Sequence, residues 1–238
     1  MGSEMCIRDS AFFVAFGIPN ILRVFFAEGA LSAAFIPVFT QTRNSEGNDA
    51  ARHLSGALIV SLATILIVVT VLGILVAPFI VKILVPGFIQ RSEKYQLTVL
   101  LTRLMFPFLF FIGLTAVLAG ILNTLGHFLI PALTPVFFNF SMIGCALWLA
   151  PTLEIPITGL AWGVVLGGSV QMLVLLKPLS KRGQMPRFRW DPRHKGSRKI
   201  SRLMVPAIFG FSAVSYTHLR ANETDSYDGC RRLLEKKK

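Results

Sequence analysis

Apolar and charged positions are sharply segregated along the 238-residue chain. Residues 54–81 run without an Asp, Glu, Lys or Arg, and the same holds for 104–153 and 155–176. A charge at the bilayer centre costs at least about 2.5–3.5 kcal/mol on insertion scales, so charge-free runs of this length mark membrane crossings. At about 1.5 Å per residue, some 20 residues cross the ~30 Å hydrocarbon core. The run 104–153 is long enough for two crossings and divides at the turn-forming segment 123–127 (Asn-Thr-Leu-Gly-His). Residues 11–42 are apolar except for Arg23 and Glu28, and are too long for one straight crossing. A further apolar run opens at 199–213. The pattern predicts five helical spans and the start of a sixth. Short alternating segments of a membrane barrel are absent from the sequence.

The segments between these runs set the orientation. Residues 177–202 carry ten Lys or Arg against Asp191 alone, the mark of a cytoplasmic loop. Alternation then puts 43–53 and 123–130 on that same side, with 82–103 and 151–156 opposite. The 82–103 loop is the exception, because Lys82, Arg91, Lys94 and Arg103 outweigh Glu93 there; part of it is read as an interfacial helix.

Composition agrees with a membrane protein: 53% of residues are hydrophobic and only 15% charged, whereas ordinary soluble chains carry about a quarter charged. The net charge of +12 is concentrated between apolar runs, so a nucleic-acid partner is not expected. Cys6, Cys145 and Cys230 have no metal or redox spacing, and Cys145 reads as a small packed hydrophobe. His53 and His127 stand at span ends, and Trp148, Trp162 and Trp190 near span edges or in the basic loop, as interfacial residues do. No nucleotide-binding loop, nucleophile elbow or paired-carboxylate motif occurs. No catalytic residue, metal site or cofactor is therefore expected.

Proline and glycine recur inside the spans, at Gly17, Pro19, Gly29, Pro37, Pro78, Pro107, Pro131, Pro135 and Pro206. They fit bent helices around a transporter cavity, and equally the general tolerance of membrane helices for both residues. The candidate chemistry is Arg23, twelve residues into an apolar stretch, or about 18 Å along a helix. Asn20 shares its face at i−3, and Pro19 at i−4 can bend the backbone beside it. Glu28 and Gly29 follow as packing or bend positions, Glu28 pointing elsewhere on the helix. A guanidinium in a wet membrane cavity suits a phosphate or diphosphate, which it grips through paired N–H donors. The alternative is that Arg23 pairs with an acidic side chain and fixes helix packing.

The stretch 11–39, AFFVAFGIPNILRVFFAEGALSAAFIPVF, closely resembles the signature helix of the MurJ (MviN) lipid II flippases. These are members of the multidrug/oligosaccharidyl-lipid/polysaccharide exporter superfamily. The likeness continues through 85–88, 120–124, 130–135, 139–144 and 160–162, and covers essentially all of 11–213. It implies an all-α, polytopic membrane bundle forming one lobe of a two-lobed exporter, comprising spans two to six and the start of seven. It implies a multi-pass protein of the bacterial inner membrane that moves a lipid-linked diphosphate-sugar between leaflets, without chemical conversion, among membrane lipids. Arg23 falls on a family arginine facing a cationic cavity. The acidic residue that normally precedes the AFFVAF run is replaced here by Ser10.

Residues 1–10 and 214–238 change composition abruptly and resemble translated adaptor sequence, so the lobe is expected to occupy 11–213. On that reading the partnering carboxy-terminal lobe is missing and the piece alone is not expected to transport. The rivals are another exporter of the superfamily, carrying polysaccharide-linked lipids or cationic drugs, and a membrane enzyme acting on lipid diphosphates. A drug antiporter would favour acidic cavity residues. An enzyme would need carboxylate or histidine clusters, and 11–213 hold six acidic residues in all. A scaffold without transport is separated from these by whether the full-length protein binds a lipid diphosphate.

Overall fold

The computed structural model describes residues 2–23, 30–85, 88, 92–181, 183 and 185, with side chains from Ser10 in the first helix and from Phe35 in the second. Among these residues the chain is helical: α1 (Gly2–Arg23), α2 (Ala30–Leu84), α3 (Ser92–Met105), α4 (Pro107–Thr124), α5 (Leu129–Gly144) and α6 (Ile157–Lys181). A π-turn, Cys145–Leu149, and a short 3-10 turn, Ala150–Thr152, extend α5. Four helical stretches are long and apolar enough to cross a membrane, and Ser10–Ile21 is a shorter apolar helix. The expected polytopic helical bundle is what forms. Glu28, Gly29, Trp190 and the expected span at 199–213 lie outside the described residues, as does most of the basic loop.

The expected loop at 43–53 is a sharper feature than the charge pattern suggests. Helix continues on both sides of Gly47, which alone breaks it with φ 89° and ψ 177°, a conformation that side chains with a Cβ rarely adopt. Phe35 lies against Gly120 of α4, and Arg43 donates from a terminal nitrogen to the Thr124 carbonyl (3.4 Å). The 30–46 segment therefore runs alongside α4 in the same direction. The 48–84 segment runs the opposite way, with Leu66 on Gly113 and Phe106 on Gly73. The chain reverses at one glycine. Arg43 also places a cation at the C-terminal end of α4, where the helix dipole favours it.

The 82–103 segment departs from expectation. α2 reaches to Leu84 and α3 begins at Ser92, inside the expected loop; α3 then continues into α4 as one apolar stretch, Ser92–Thr124. Thr98, Leu101, Thr102 and Met105 are buried in the bundle, so α3 is not an interfacial helix. The charges were misleading because they sit on the rim of a packed helix: Lys94 lies over the Phe88 ring at 3.9 Å, and Arg103 reaches a backbone carbonyl.

Packing follows helical periodicity. On α2, Leu62, Leu66, Thr70, Ala77 and Val81 are buried while Ile65, Val68, Leu72, Leu75, Phe79 and Ile83 are exposed, the second set forming one apolar stripe on the surface of the bundle. The α4–α5 turn at 123–127 forms as its residues suggest. His127 N–H bonds the Leu122 carbonyl (2.9 Å) and Gly126 N–H that of Asn123 (3.0 Å), with Gly126 at φ 77°. This paired C-terminal arrangement satisfies carbonyls a helix end leaves open and requires a left-handed residue, hence glycine.

α6 packs against both α4 and α5. Gly159, Gly163 and Gly167 recur every fourth residue and meet, in order, Ala150, then Met142 and Cys145, then Phe138. Gly168, one position round, receives the Phe108 ring of α4. Lipid tails are as apolar as leucine, so association here depends on close van der Waals approach, which small residues allow. Cys145 is half-buried against this row, as its apolar setting suggested.

Prolines inside the bundle leave carbonyls that must find donors in lipid. Pro135 deprives the Pro131 carbonyl of its helical N–H, and the Thr134 hydroxyl donates to it instead at 2.7 Å. Pro78 does the same to Ile74, whose carbonyl accepts from Arg103 Nε at 3.2 Å.

Candidate functional site

The site predicted from sequence sits in the last described turns of α1. Phe12 and Phe16 stack one turn apart, with ring centroids at 6.0 Å, and Phe16 meets Phe108 of α4 at 6.4 Å. Ala11, Phe12 and Ala15 pack with Leu101, Met105 and Phe108 and with Ala161 and Val164 of α6. Further along, Ile18 enters a second cluster with Val81 of α2, Val99 of α3 and Phe106. Three apolar contacts in successive turns thus fix α1 against the bundle, while Phe13 and Ile21 on its other side are exposed.

Arg23 follows Ile18 by five residues, about 7.5 Å along the axis. It lies near the row of Phe12, Phe16 and Pro19, at i+11, i+7 and i+4, so its side chain leaves α1 on the bundle side. Arg23 is half-buried, and its Nε is fully covered. Asn20 is also half-buried but falls on the row of Phe13 and Gly17, about 60° round the helix from Arg23. Pro19 is buried inside α1. Arg23, Asn20 and Pro19 therefore share one turn and a half of a docked helix. A guanidinium there offers a planar fork of donors at the edge of an apolar bundle, and Asn20 adds an amide with both donor and acceptor atoms.

Comparisons with known proteins place the whole chain. The family profile described as lipid II flippase MurJ matches residues 2–219. The chain belongs to the MurJ lipid II flippase family. A lipid II flippase MurJ of Burkholderia cenocepacia is 41% identical over 206 residues, covering 85% of this chain and 40% of that protein. A probable lipid II flippase MurJ of Vibrio cholerae is 41% identical over 208 residues, covering 84% and 40%. A solved structure described as lipid II flippase MurJ in an inward closed conformation superposes with a TM-score of 0.69 at 25% identity, covering 86% of this chain and 41% of that one. The chain spans about 40% of the length of the MurJ relatives it matches. As a MurJ-family chain with four membrane-capable helices it is a multi-pass membrane protein.

Sequence reasoning missed two features of this MurJ-family lobe. The first is the glycine row of α6, legible as Gly-xxx-Gly-xxx-Gly within an apolar run. It continues one further turn into Gln171, which is buried and donates from Nε2 to the Thr134 carbonyl of α5 (2.9 Å). The second is Arg103, whose carbonyl partner lies 29 residues away and gives no local signal.

Proposed function

We propose that this protein forms the amino-terminal lobe of a flippase that carries lipid II, the undecaprenyl-diphosphate-linked peptidoglycan precursor, from the cytoplasmic to the periplasmic leaflet of the bacterial inner membrane. The activity serves cell-wall biogenesis and, through it, cell shape. Two lobes rock around a central cavity, driven by an ion or voltage gradient, and no bond of the substrate is made or broken. Arg23 grips the diphosphate through paired N–H donors, Asn20 hydrogen-bonds an adjacent oxygen, and Pro19 shapes the helix that presents them.

The supporting observation is Arg23 itself: in a MurJ-family chain, a half-buried arginine with a covered Nε stands on an apolar helix docked into the bundle. A guanidinium placed there presents a fixed positive charge that suits an anionic headgroup. The test grafts this chain's residues 11–213 into the full-length Burkholderia cenocepacia relative in cells depleted of their own flippase. Arg23→Ala should abolish growth while membrane abundance stays unchanged. Growth equal to the unsubstituted graft removes the role given to Arg23.

A further inference from the structure

Two neighbouring helices are interrupted by proline at one level of the bundle. In α2, Pro78 cannot bond back to the Ile74 carbonyl; in the partner stretch, Pro107 separates α3 from α4 at Phe106. The Phe106 ring sits where Gly73 has no side chain: a Cβ on Gly73 would fall 2.0 Å from the ring. On one side of this level, 48–72 is packed to α4 through Leu66 on Gly113. On the other, α3 holds the end of α2 by three separate contacts. The Tyr95 hydroxyl donates to the Pro78 carbonyl (2.8 Å), Arg103 Nε donates to the Ile74 carbonyl (3.2 Å), and Val81 packs with Val99. Both carbonyls beside the proline are thus taken by side chains of α3.

From this arrangement we infer that 74–84 of α2 and α3 pivot as one body about the Gly73–Phe106 contact, with Arg103 as the latch at the pivot. Bending a helix at proline breaks no backbone hydrogen bond, since the bond is already missing. The ring on a bare glycine backbone leaves no interlocking side chain to strip. Arg103 supplies a donor to the Ile74 carbonyl in the state described here, and its side chain is long and exposed enough to follow or release that carbonyl as the angle changes. Ile18 of α1 packs on the same body through Val81 and Val99, and on Phe106 at the pivot. The pivot therefore shifts the end of α1 that carries Arg23, a consequence that rests on the transport role proposed above.

Two measurements on the grafted full-length protein test this. The first is a thermal-melting cycle at Pro78 and Arg103. Arg103→Ala should lower Tm by about 2–4 °C where residue 78 is proline. It should change Tm little beside Pro78→Ala, because alanine returns a backbone donor to the Ile74 carbonyl. Equal losses in both backgrounds overturn the latch. The second is growth of flippase-depleted cells. Pro78→Ala, which straightens α2, should reach normal membrane abundance and fail to support growth, whereas Pro78→Gly, which keeps the bend flexible, should support it. Growth with alanine, or failure of both variants, overturns the pivot. Arg23→Ala in the same graft reads the transport role separately, and the melting cycle does not depend on it.

Discussion

Gln171 donates from its side-chain amide to the backbone carbonyl of Thr134, 2.9 Å away, in the buried contact between α6 and α5. It stands four residues after Gly167, so the row that brings the two helices together ends in a polar tie. The amide oxygen of Gln171 is buried and has no hydrogen-bond partner among the described residues. A buried acceptor without a donor costs about 1–3 kcal/mol, while an interhelical bond in membrane contributes about 0.6.

The balance gives a prediction at this position. Gln171→Leu, apolar and of similar reach, should leave Tm unchanged or raise it. Gln171→Glu should lower Tm, since a carboxylate replaces the donor facing the Thr134 carbonyl. A Tm loss for leucine as large as that for glutamate would show that the amide oxygen has a donor in the membrane.

The glycines divide into those that close a contact and those that do not. A Cβ on Gly159 would lie 2.7 Å from the Ala150 backbone, which cannot rotate away. Gly159→Ala should destabilise by about 1–3 kcal/mol through overpacking. Gly17 has nothing within 4 Å of its would-be Cβ and lies inside α1. Gly17→Ala should stabilise by about 0.5–1 kcal/mol through reduced chain entropy. Paired melting curves check both, and matching signs would refute the packing described for α6.

At the α4–α5 turn, Gly126 has φ 77° with open space around its Cα. Gly126→Ala therefore meets no steric neighbour and tests backbone conformation alone. It should destabilise by about 1–2 kcal/mol, the cost of a left-handed residue with a Cβ. Gly126→Asn should recover part of the loss.

For Arg23, substrate binding separates charge from geometry. Arg23→Ala in the full-length graft should weaken binding of a lipid diphosphate about 10- to 100-fold, the range for a hydrogen bond to a charged group. Arg23→Lys keeps the charge and loses the planar fork, so it should fall between alanine and arginine in binding and in growth rate. Lysine indistinguishable from arginine would leave a point charge as the whole contribution.

Five crossings were expected, and four helices among the described residues are long and apolar enough to span; the helical membrane class and the glycine turn at 123–127 were legible along the chain. Each is set by local physics: the cost of charge in hydrocarbon, and the backbone freedom of glycine. The side on which the connections gather was legible too, and Arg43 on Thr124 and Arg52 on the Met185 carbonyl bring 43–53, 123–130 and the start of the basic segment to one end. Span limits were not, where charge was taken as the boundary. Arg103 and Lys94 belong to a packed helix because a side chain can carry its charge to a carbonyl or a ring at the rim while its backbone stays in the bundle.

Arg23 was conspicuous as the lone cation of its stretch, yet its sequence could not say which side of α1 would be covered. That was decided by Phe16 meeting Phe108 and Ile18 meeting Val99, which fix the rotation of α1 about its own axis. Pro78, likewise, announced a missing hydrogen bond but not its replacement. A proline's vacancy is local and readable from one residue; the donor that fills it comes from wherever the fold brings a neighbouring helix, and only the packed structure puts Arg103 there.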